Sequence, residues 1–155
     1  MTKNDILRRI RYTFDYGDAK MMELFGSGGK QVTRAEVSDW LKKEDDPEYK
    51  EMEDEQLAAF LNGFINEKRG KKEGPQPEPE QRLNNNVILR KLKIALNLKD
   101  EDMLDILLLA DFRLSKHELS AFFRNPSQSQ YRPLKDQILR NFLHGMQIRY
   151  RGQGN

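Results

Sequence analysis

The sequence predicts an all-α protein made of two tandem copies of one four-helix repeat of roughly 68 residues, packed about a pseudo-twofold axis. Three observations carry this expectation. Shifting the chain against itself by 82 positions aligns residues 4–70 with 86–152 without a gap, and 16 of the 67 pairs are identical. Self-similarity at one offset marks a repeated structural unit. Apolar residues recur at three- and four-residue spacing through both copies, and no alternating strand pattern competes with them. Finally, Val32-Thr33-Arg34-Ala35-Glu36-Val37 and Leu114-Ser115-Lys116-His117-Glu118-Leu119 both read as helix starts. Thr33 or Ser115 is placed to accept from an orphan backbone N–H, and Glu36 or Glu118 to reach back to the cap. The apolar pairs Val32/Val37 and Leu114/Leu119 stand at the staple positions.

Each copy divides into four helical segments. The first, near 4–16 and 86–98, carries Ile6, Leu7, Ile10 and Phe14, matched by Ile88, Leu89, Leu92 and Leu96, on one face. Asp18 and Asp100 are the expected caps of a second, short helix bearing Met21, Met22, Leu24 and Phe25, or Met103, Leu104, Ile106 and Leu107. The third is the stapled helix, with Val37, Trp40 and Leu41 against Leu119, Phe122 and Phe123. The fourth, near 53–69 and 134–151, is the longest, and Gly70 and Gly152 stop it. Arg69 and Arg151 precede those glycines, where a cation meets the negative end of the helix dipole. Gly63 and Gly145 lie inside the fourth helix, where glycine costs about 1 kcal/mol relative to alanine. Their recurrence predicts that a second helix passes too close for a Cβ.

The chain divides into a first repeat (1–70), a Pro/Glu-rich linker (71–83), a second repeat (84–152) and a tail (153–155). Prolines at every second position of Pro75-Gln76-Pro77-Glu78-Pro79 predict an extended connector. At about 3.1 Å per residue it reaches up to about 40 Å, enough for the copies to lie side by side. A unit this small is marginal alone, so the two are expected to pack together.

The chain has 155 residues, of which 37% are apolar and 34% charged. The absence of cysteine excludes disulfides, thiol catalysis and Cys-ligated metals. No apolar run approaches the roughly 18 residues of a membrane span, and the N-terminus lacks a secretory signal. A cytoplasmic protein is expected. The formal net charge of +2 hides an asymmetry, with −1 over residues 1–72, −3 over 73–81 and +6 over 82–155. A basic second half favours anionic partners through steering without specifying an activity.

The repeat serves as an internal control, since what both copies need for folding should recur. The acidic run Glu44-Asp45-Asp46-Pro47-Glu48 has no carboxylate in its counterpart 125–130 and lacks the spacing of a calcium loop. The cluster Gly26-Ser27-Gly28-Gly29-Lys30 lacks phosphate-loop spacing and reads as a flexible loop. His117 and His144 have no histidine neighbour and no zinc pattern. No nucleophile elbow or dinucleotide fingerprint occurs. The expectation is therefore no cofactor, no metal and no membrane, with an enzyme ranked third among functions.

Two recurring polar features remain. The basic edge of the first helix, Arg8, Arg9 and Arg11 with Arg90, Lys91 and Lys93, is the candidate contact for phosphates or nucleic acid. Arg8/Arg90 with Asp18/Asp100 and Asp54/Asp136 are candidates for internal ion pairs. The leading functional expectation is a non-catalytic helical module that binds another protein, or a second copy of itself, through a groove between the repeats. Nucleic-acid binding through the basic edges is the runner-up.

Asn4-Asp5-Ile6-Leu7-Arg8, Trp40-Leu41-Lys42-Lys43-Glu44-Asp45, Phe60-Leu61-Asn62-Gly63, Glu67-Lys68-Arg69-Gly70 and Asn84-Asn85-Asn86 together resemble the YehS-like family. The resemblance covers nearly the whole chain, linker included. It implies a bacterial cytoplasmic protein with two copies of a domain of unknown function, and it brings no catalytic residues.

Overall fold

The computed structural model describes residues 1–152; the tail 153–155 lies outside the described residues. Eight α-helices and no strand occur among them: α1 Lys3–Phe14, α2 Asp18–Ser27, α3 Arg34–Leu41, α4 Asp54–Arg69, α5 Asn85–Ala95, α6 Asp100–Leu109, α7 Lys116–Ala121 and α8 Asp136–Arg151. The second copy repeats the first down to backbone conformation. Asp15 and Asn97, both just past the first helix of a repeat, take left-handed φ values of 55° and 53°. Gly70 and Gly152 do the same after the fourth, at 86° and 95°, as a glycine stop requires.

Local rules account for the helix starts. Thr33 Oγ1 accepts from Glu36 N–H at 3.1 Å, and Thr33 N–H donates to the Glu36 carboxylate at 2.9 Å. Ser115 and Glu118 reproduce both bonds at 3.0 Å. The second helices differ from expectation, because Gly17 and Lys99 occupy the cap positions and Asp18 and Asp100 lie one residue inside. There a carboxylate still faces the positive end of the helix dipole. Thr33→Ala and Ser115→Ala should each lower the unfolding free energy by about 1 kcal/mol in a denaturant titration, the usual worth of such a cap.

The repeats exchange their packing. Within each copy the fourth helix lies along the second, α4 on α2 and α8 on α6. The first helix of each copy, however, packs mainly on the fourth helix of the other, α1 on α8 and α5 on α4. Reciprocal contacts of this kind are what a pseudo-twofold axis produces. The same symmetry reaches single atoms. Asp54 accepts Leu83 N–H at 2.8 Å, while Asp136, its equivalent, accepts the Met1 nitrogen at 3.0 Å, so each holds the chain entering the other repeat.

The expected ion pairs of Arg8 and Arg90 with these aspartates therefore do not form. Asp54 pairs with Lys3, Asp18 with Arg34 and Asp100 with Lys93. Arg8 turns instead to Asp5 and the Lys42 carbonyl.

Helix α4 is the centre of the core, with every residue from Leu57 to Phe64 buried. A helix apolar on all sides needs cover on all sides. Helices α2 and α5 supply two of them, and the linker lies near a third, where Gln76 and Pro77 line a small pocket with Ser27, Asn62 and Ile65. The linker is thus a docked strap, tied by Glu80 to Lys91 at 3.0 Å. Buried aromatic rings run through the first repeat, with Trp40, Phe25, Phe60 and Phe64 in successive contact at 5.2–6.4 Å, and Phe14 carries the row to Tyr150 of α8. Burying each such ring contributes about 1.5–3 kcal/mol.

The glycines inside the fourth helices have the expected cause. A Cβ on Gly63 would overlap the Leu24 carbonyl, and one on Gly145 the Ile106 carbonyl. Gly28 belongs with them: it is buried, and a Cβ there would overlap the Ala59 carbonyl. Gly28 is thus a close-packing position at the end of α2, a role the cluster's sequence did not suggest.

Candidate functional site

The basic first-helix edges are drawn mostly into contacts with the protein itself. Four of these cations meet protein groups, three within their own repeat and Lys91 across the junction. Arg8 donates to the Lys42 carbonyl at 2.8 Å and Arg90 to that of Phe123 at 3.2 Å, each closing the end of its repeat's third helix. Lys91 is 11% exposed and sits 2.6 Å from Asn62 Oδ1, with Glu80 beside it. Lys93 pairs with Asp100 at 2.9 Å and lies over the Phe123 ring. Arg9 and Arg11 are half-buried on α1, which packs on α8. The six do not form one continuous basic face. Arg90 and Lys93 border a cleft of about 400 Å³.

An apolar concavity lies elsewhere, within the second repeat and not between the two. It is a groove of about 510 Å³ bounded by the α6–α7 loop, α7, the α7–α8 loop and the first turn of α8. Its floor is Phe112, Leu114, Ala121, Phe122 and Ile138. Around the rim stand Arg113, Arg124, Arg132 and Lys135, with His117 and one carboxylate, Glu118. Glu118 is committed to the cap of α7, where the Ser115 N–H holds its pKa below the usual range. The rim is therefore strongly cationic.

Local structure explains why these side chains converge. The Ser115–Glu118 cap orients α7. Asn86, buried on α5, clasps the next loop: its amide donates to the carbonyls of Phe122 at 3.0 Å and Arg132 at 2.9 Å, and its oxygen accepts Leu134 N–H at 2.9 Å. This clasp sets the segment carrying Arg124 through Lys135 against α7. Arg124 is held by Gln130 and Ser120, both neutral, and Arg132 by the carbonyls of Ser129 and Tyr131.

The first repeat shows what the groove would be without these residues. Asn4 makes the same clasp, to Trp40, Lys50 and Met52. The equivalents of Phe112, Ala121, Gln130, Pro133, Lys135 and Ile138 are Lys30, Asp39, Glu48, Glu51, Glu53 and Gln56. Lys42, in the place of Arg124, is bound by both Asp39 and Glu48 at 2.8 Å, hydrogen bonds that push its pKa up. The first repeat fills this position with internal ion pairs. In the second, all four carboxylates are gone, apolar residues have replaced four of the polar side chains, and the arginine has no acidic partner at the vacated places.

Sequence reasoning passed over this groove because it treated each residue that failed to recur as local decoration. The signal was present in the aligned pairs, as a concerted loss of carboxylates in one copy.

Among the described residues, no three or more His, Asp or Glu side chains are grouped so as to hold a metal ion. No helix is long and apolar enough to cross a membrane.

The comparisons with known proteins agree with the repeat in register. The family model described as a protein of unknown function, DUF1456, matches twice, over residues 3–70 and 85–152. The chain is similar to the uncharacterized protein YehS of Escherichia coli (strain K12), at 42% identity over 150 residues, covering 96% of each chain. No solved structure matches. With both halves matched in tandem and a relative aligned over almost its whole length, the chain belongs to the DUF1456 family.

Proposed function

We propose that this protein is a non-catalytic binding module whose second repeat holds an acidic, apolar-bearing segment of another protein. The observation that carries the proposal is the groove's composition: an apolar floor under four cations, with one carboxylate already engaged. Apolar floors supply the burial that drives peptide docking, while a cationic rim selects acidic segments and speeds their encounter. The matching surface of the first repeat, closed by its own ion pairs, offers neither.

Fluorescence anisotropy with a labelled peptide alternating glutamate and leucine tests this directly. The full chain should bind it. A triple variant, Ala121→Asp, Gln130→Glu and Lys135→Glu, copies the first repeat's residues into the groove and should weaken binding by more than about tenfold, since it restores an internal partner for Arg124. Unchanged affinity in the triple variant, or a single-stranded oligonucleotide displacing the peptide from the groove at equal concentration, overturns the reading.

A further inference from the structure

A second cleft, of about 400 Å³, lies at the junction of the repeats and is independent of the groove. Arg69, from the end of α4, lines it together with Arg90 and Lys93 of α5, and Ile94, Leu98 and Phe123 supply its apolar lining. Asp100, paired with Lys93, is the carboxylate at its edge. The pseudo-symmetric position is closed by the protein itself. There Arg151 donates to the Tyr12 carbonyl at 2.6 Å, lies 3.9 Å over the Tyr12 ring and stands 3.6 Å from Asp15.

On the other side Ile94 replaces Tyr12 and Asn97 replaces Asp15, removing both the ring and the carboxylate. Arg69 is accordingly exposed, with no ion pair or hydrogen bond among the described residues. Ile94 beside it is 47% exposed.

We infer that this cleft binds a small organic phosphate, a phosphomonoester on a flat apolar body. The phosphate takes the place that Asp15 occupies beside Arg151, meeting Arg69 from one repeat and Arg90 and Lys93 from the other. Arginine forks suit phosphate oxygens, and Ile94 and Phe123 give the organic part an apolar wall. The volume falls within the range of small-molecule sites. Because the cations come from both repeats, a bound ligand bridges the junction and should raise the melting temperature by mass action.

The test is calorimetric titration of the full chain with phenyl phosphate, inorganic phosphate and benzyl alcohol. Phenyl phosphate should bind more tightly than either fragment and raise the melting temperature. Arg69→Ala and Ile94→Glu should each lower its affinity at least about tenfold, the worth of one charge-assisted bond, while Lys72→Ala on the exposed linker should not. Melting of the unliganded variants at the wild-type temperature separates site loss from misfolding. Undetectable binding at millimolar phenyl phosphate, wild-type affinity in both site variants, or equal loss in Lys72→Ala overturns the inference.

Discussion

Asn4→Ala is expected to lower the unfolding free energy by about 3 kcal/mol, and the melting temperature by about 6–12 °C for a chain of this size. Asn4 is fully buried and makes three hydrogen bonds, to the Trp40 and Lys50 carbonyls at 2.9 and 2.8 Å and from Met52 N–H at 2.9 Å. Alanine leaves two carbonyls and an N–H without their partner in a site closed to water. Each such group costs about 1–3 kcal/mol, moderated where the loop relaxes toward solvent. Asn4→Asp should be worse at neutral pH, since it turns a carboxylate toward two carbonyl oxygens. Burial and that repulsion raise its folded-state pKa, so the penalty is present above that pKa and fades as acid protonates the group. Chemical denaturation across pH measures both effects.

Asn86→Ala separates folding from binding. The clasp it removes sets the groove wall between Arg124 and Lys135. Temperatures at which both variants remain folded should therefore show weakened peptide binding for Asn86→Ala and not for Asn4→Ala.

Gly63→Ala should destabilise the protein by about 2–4 kcal/mol, although alanine is the better helix former by about 1 kcal/mol. The added methyl falls on the Leu24 carbonyl, a backbone atom that moves only if α2 withdraws from α4. That interface carries Phe25 against Phe60, so withdrawal loosens the centre of the core. Gly145→Ala meets the Ile106 carbonyl in the same way and should show a comparable loss. A gain in melting temperature for either variant would contradict the close approach.

Much of this architecture is legible in the chain because it rests on short-range rules. The capping boxes at Thr33 and Ser115 need residues three apart, and the glycine stops need one residue able to take positive φ. The recurrence of Gly63 and Gly145 carried long-range information, since no local advantage explains glycine inside a helix. Asn4 and Asn86 also recurred, but an asparagine announces no partner, and its three bonds span 36 to 48 residues. Its role as a clasp appears only when the loop it holds is in view.

By itself the sequence determined the repeat, its register, the helices and their caps, and the imbalance of charge between the halves. Tertiary structure alone decided that the first helix of each copy packs on the fourth helix of the other. An apolar stripe such as Ile6, Leu7 and Ile10 is satisfied equally well by α4 or by its near-copy α8, so nothing local distinguishes the two arrangements. That exchange set α1 and α5 at the junction of the repeats, where the differing residues of the two copies leave Arg69 beside an open cleft on one side only. Function is assigned by burial, and burial is a property of the whole chain.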